Sequence, residues 1–163
     1  MEKLRETLDE CSLPAALDAV GERWSFLILR AAFNGLHHFE EFQSALGIAR
    51  NILASRLTKL VQYGIMERTP LPDDRRKIEY RLTQKGEALL PTMIAMRQWG
   101  ERWETCVPAW PVLVDKADMR PIQTIQVLAH DGRALALHDL HWAGPGEVAR
   151  DPAEGEHRAI AAE

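Results

Sequence analysis

The chain has 163 residues, 46% of them hydrophobic and 27% charged, which is enough apolar material for one buried core and a smaller appended unit. No apolar run approaches the roughly 18 residues of a membrane span, and the charged start MEKLRETLDE lacks the apolar stretch of a secretion signal; a cytoplasmic protein with no membrane partner is expected. The formal charge is −4, yet nine cations face four anions between Arg50 and Gly86, an excess of +5 that leaves −9 for the remainder.

Residues 1–11 read as a polar arm. Ser12 and Pro14 mark a helix start, with a capping side chain followed by a proline in the first turn. Apolar residues recur with helical rhythm at Leu17, Val20, Trp24, Leu27, Ile28 and Ala31, and Gly21 divides the run into two helices, the second stopping near Asn34-Gly35. Phe39, Phe42, Ala45 and Leu46 form a shorter amphipathic segment closed by Gly47. From Arg50 to Tyr63, Leu53, Leu57, Leu60 and Val61 make one buried stripe, while Asn51, Ser55, Thr58 and Gln62 lie on another face flanked by Arg56 and Lys59. Two short helices joined through a glycine-containing turn are a helix-turn-helix unit.

After Gly64 the rhythm changes to that of strands. Residues 65–69 and 78–82 bracket the polar loop PLPDDRRK, a hairpin with a basic tip directly behind the second helix. Thr83 caps a long helix expected from Gln84 to Cys106, bent at Pro91 and ended by Pro108 and Pro111. Farther on, Ile122 to Leu128 suits a strand, and His130-Asp131-Gly132-Arg133 a turn before Ala134 to Leu137. The fold class is therefore mainly α with a small β wing and a small β-hairpin tail. Residues 1–107 would form the winged helix-turn-helix domain for DNA binding and dimerisation, 108–143 an extension, and 144–163 a disordered end.

The order of these blocks resembles the HxlR-type family of bacterial winged helix regulators. The likeness runs from Cys11 to about Trp103: a cysteine before ALDAVGERWSFLILR with its Gly-x-x-Trp, then HHFEEFQSALGIARNILASRLTKLVQYGIMER, IEYRLTQKGEALLP and WGERW. It implies transcription regulation by a homodimer on double-stranded DNA, with the N-terminal helices and the long C-terminal helix in the dimer contact. The tail is similar to a segment that in some relatives carries two cysteines; here Leu128 and Asp131 stand in their places.

Base contacts are expected from Arg50, Asn51, Ser55 and Arg56, with Lys59 on a phosphate and Arg75, Arg76 and Lys77 gripping the backbone from the wing. The operator would be pseudo-palindromic. Trp24, Met93, Met96, Trp99 and Trp103 would form a dimer seam or the pocket of a small-molecule effector; heptad-like spacing over Met93, Met96 and Trp103 favours the seam. Cys11, just before a helix, is a redox candidate, although Asp9 and Glu10 oppose a reactive thiolate. His130, Asp131, His138, Asp139 and His141 are the densest potential ligand set, of types equally at home in turns and on surfaces. With no nucleophile–base pair, phosphate loop or zinc motif in view, no enzyme activity, cofactor or metal is expected. A winged helix kept as a protein-interaction module without DNA binding is the alternative, and the basic excess argues against it.

Overall fold

A computed structural model describes residues 11–72, 74, 77–107, 110–144 and 146–148. Residues 1–10 of the expected N-terminal arm, the wing-tip cations Arg75 and Arg76, and, within the expected disordered end, residue 145 and those from 149 onward lie outside these residues.

Two helices open the described chain, α1 (Ser12–Val20) and α2 (Arg23–Phe33). The N-cap of α1 is Cys11 rather than the expected Ser12: its Sγ accepts from Leu13 N at 3.4 Å, and Ser12 becomes the first helical residue. Helix α3 (Phe39–Leu46) ends at Gly47, whose φ of +60° is the left-handed conformation that permits a tight reversal. Buried Ile48 fills the turn, and α4 (Arg50–Gln62) follows. Leu53, Leu57 and Leu60 recur at i, i+4 and i+7, so one face of α4 is fully buried against α2 and α3. Ile28, Leu29, Phe42, Ile65 and Met66 complete that core. Each such side chain withdrawn from water contributes about 1.5–3 kcal/mol, which is what holds these short helices together.

Strands β1 (Met66–Pro70) and β2 (Ile78–Leu82) pair antiparallel, from Met66 opposite Leu82 to Pro70 opposite Ile78. The wing is tied to the start of α3, because Tyr80 N donates to His37 O at 2.8 Å and His38 bridges to Glu79. Thr83 caps the short helix α5 (Gln84–Glu87), as its position after the strand suggests.

The single bent helix expected over 84–106 is instead broken. A new helix, α6 (Leu90–Gly100), starts after Leu89 with Pro91 in its first turn, where the missing N–H costs nothing. It runs on into a π-helical turn, Glu101–Thr105, stopped by Cys106 at a φ of +53°.

The chain divides into two compact units between Ile125 and Gln126. Residues 110–125 fall within the first of these units. Gln98 fastens them: its Nε2 donates to Gln123 O at 3.1 Å and its Oε1 accepts from Ile125 N at 2.8 Å. Ile122 accordingly bonds back to Leu113 and does not begin a hairpin strand. In the second unit the expected turn is present, with Ala129 N on Arg133 O at 2.8 Å, Gly132 at a φ of +83°, and a lone bridge between Leu128 and Ala134.

Candidate nucleic-acid interface

Burial of the leucine stripe decides what α4 presents outward. Asn51, Ala54, Ser55, Thr58 and Gln62 are exposed along the opposite side, and Arg50 stands exposed at the N-terminal end. Apart from Ala54 this row is polar, and it is uncharged over about three turns. Amide and hydroxyl groups of this kind can donate to and accept from base edges. The Thr58 hydroxyl is already committed, donating to Ala54 O at 2.8 Å. The sequence pattern sets Thr58 and Gln62 on this face without giving them a role.

The cations expected beside this row are arranged differently from one another. Arg50 places its guanidinium 4.7 Å from the centre of the Phe39 ring, a cation–π contact that steadies it at the helix start. Arg56, expected to reach guanine, is half-buried and turned toward α2, where its Nη2 lies 2.5 Å from Glu22 Oε2. Lys59 lies 3.5 Å from the other Glu22 oxygen and 5.9 Å from the Tyr63 ring. Glu22 is the residue that sequence reasoning missed; thirty-four positions separate it from Arg56, and no local spacing signals the pair.

On the wing, Lys77 is exposed at the end of the loop, its N–H donating to Asp74 O at 2.9 Å. Arg81 bonds Glu79 at 2.8 Å, an interaction that lowers the Glu79 carboxyl below its ordinary range and raises the guanidinium. Glu67 stands opposite Arg81 in the ladder. The cationic character of the two strands is therefore partly neutralised from within. At the start of α3, Glu41 accepts from His37 N at 2.8 Å and His38 N at 2.9 Å, and these two N–H donors lower its pKa.

Of the residues expected at a seam or pocket, Met96, Trp99 and Trp103 are exposed at i, i+3 and i+7 along α6 and its π turn, and Leu13 and Leu17 are exposed on α1. Met93 is half-buried. Trp24 packs against the core, with the Arg23 guanidinium 5.4 Å from its ring. A cavity of about 610 Å3 borders α6, but its walls include Ile94, Arg97, Gln98 and Glu101 rather than the exposed methionine and tryptophans. Among the described residues, no three His, Cys, Asp or Glu side chains gather as metal ligands, and no helix is long and apolar enough to cross a membrane.

Comparison with known proteins agrees with this architecture. The chain is 44% identical over 92 residues to Rv3095 of Mycobacterium tuberculosis, an uncharacterized HTH-type transcriptional regulator; the match covers 56% of this chain and 58% of that relative's length. The crystal structure of PA1607, described as a transcription factor, superposes with a TM-score of 0.75 at 43% identity, covering 86% of this chain and 95% of that one. The reduced form of the transcriptional regulator YodB from Bacillus subtilis gives a TM-score of 0.52 at 31% identity, over 60% of this chain and 96% of its own. Residues 19–107, more than half of the chain, match the model of the HxlR-like helix-turn-helix, and the chain belongs to that family.

Proposed function

We propose that this protein is a sequence-specific DNA-binding transcriptional regulator that acts as a homodimer on a pseudo-palindromic operator. The observation that carries the reading is the uncharged polar row Asn51–Ser55–Thr58–Gln62, exposed on a helix whose other face is locked into the core. A rod of this width fits the major groove, and its N-terminal residues lie nearest the bases. In this reading Arg50, Asn51 and Ser55 contact base edges. Lys77 and, from their place in the sequence, Arg75 and Arg76 hold phosphates beside the groove. Arg56 acts from the Glu22 contact rather than as a free base reader, and Lys59 from the same contact rather than as a free phosphate ligand.

The dimer is supported by two exposed apolar rows, Leu13 and Leu17 on α1 and Met96, Trp99 and Trp103 along α6 and its π turn. A second copy burying both would satisfy them. Modulation by an effector has two candidate places. One is the cavity beside α6. The other is Cys11, whose Sγ sits at the N-terminus of α1. HypR, a redox regulator, is 30% identical with a TM-score of 0.52.

Selection from a random duplex library with the purified chain tests the proposal. It should return two inverted half-sites whose centres lie about one helical turn, or a multiple of it, apart. Recovery of no common sequence would remove the specific reading. Comparing affinity for the recovered duplex before and after mild oxidant, in wild type and Cys11→Ser, then decides the thiol question: an equal change in both excludes Cys11.

A further inference from the structure

Glu22 holds the N-cap position of α2 without bonding its own helix; no side-chain cap hydrogen bond forms there. Its carboxylate reaches α4 instead and gives one oxygen to each of two cations, Oε2 to Arg56 at 2.5 Å and Oε1 to Lys59 at 3.5 Å. Both cationic side chains are largely covered, at 23% and 29% exposure against 43% for Glu22, and Arg56 Nε is buried. The carboxylate thus faces solvent more than the charges it holds. Two of the cations on α4 are drawn toward α2 and away from the exposed polar row.

Attraction between cations and phosphates is sequence-independent and grows with each phosphate neutralised. A protein that reads sequence gains when such attractions are few and fixed, because added non-specific affinity competes against the operator. We infer that Glu22 is a positioning residue for discrimination: it withholds Arg56 and Lys59 from indiscriminate phosphate binding, so that the polar row of α4 decides where the protein binds. The inference rests on the DNA-binding reading above.

The test titrates the full chain with a selected duplex and with a scrambled duplex at several salt concentrations. Glu22→Gln should tighten scrambled binding at low salt more than selected binding, which lowers the ratio of the two affinities. Each additional phosphate neutralised by the variant should deepen the affinity loss between about 50 and 200 mM salt by about 3.5-fold. Glu22→Asp, which keeps the charge, should restore the wild-type salt slope. In a background of Arg56→Gln with Lys59→Gln, adding Glu22→Gln should leave the slope where it was. An unchanged slope and ratio in Glu22→Gln would overturn the inference, as would the same change appearing in the background without the two cations. Wild type that binds no duplex in a salt-dependent way would overturn the DNA-binding reading and this inference together. Wild type that binds while Glu22→Gln changes nothing would overturn this inference alone.

Discussion

The hydroxyl of Thr83 donates to the carbonyl of Gly64 at 2.6 Å, joining the residue that follows the wing to the residue just beyond the end of α4. The same oxygen accepts from Gly86 N at 3.2 Å and lies 3.2 Å from Ile65 O, and Lys85 Nζ adds a bond to Tyr63 O at 2.8 Å. Gly64 permits this junction through its φ of +66°. Gly86 permits it by having no Cβ, since one built there would collide with the carbonyl oxygen of Ile65. Helix α4 and the wing are thereby held as one piece.

Changes at this junction should be read in stability. Thr83→Val removes the cap and its bonds and should cost about 1–2 kcal/mol. Gly86→Ala must push backbone from backbone and should cost about 1–3 kcal/mol. Denaturant unfolding of each variant measures both.

The two faces of α4 should separate stability from recognition. Leu57→Ala empties a fully buried position and should destabilise by about 2–5 kcal/mol. Ser55→Ala, on the exposed side two residues earlier, should stay within about 0.5 kcal/mol of wild type. Equal losses would contradict the face assignment.

Acid should loosen the start of α3. The folded-state pKa of Glu41 is depressed by the His37 and His38 N–H donors, so the carboxylate stabilises the fold above its unfolded value near 4.5. That contribution is lost as the pH falls from there through the lowered folded value. Melting temperature followed through this range should fall in wild type, and Glu41→Gln should flatten the fall.

Much of this molecule is legible in the order of its residues. The leucine spacing places α4 to within one residue of its observed end, and the alternation around PLPDDRRK locates both wing strands. These elements follow from local periodicity. The Arg56–Glu22 pair does not, because it depends on how α2 packs against α4. Pro91 reads as a bend in the sequence because a proline fits either a kinked helix or the first turn of a new one, and only the break at Leu89 distinguishes them. The attachment of residues 110–125 through Gln98 has no sequence signal at all; a glutamine amide bonding two backbone groups looks like any polar surface residue.

Wing cations should act uniformly on all DNA. Changing Arg75 and Arg76 together to Ala should weaken selected and scrambled duplexes alike and lower the salt slope by about 1.8, if each holds one phosphate. Anisotropy titrations at several salt concentrations measure the slope.

The most direct measurement is the ratio of affinities for a selected and a scrambled duplex, at fixed salt, in wild type and in Asn51→Ala with Ser55→Ala. The exposed row of α4 as the reading surface requires the ratio to fall at least about tenfold, since one lost base contact is worth about 1–3 kcal/mol. Affinity for the scrambled duplex should hardly move. A ratio left intact, or both affinities falling together, would contradict that role for α4.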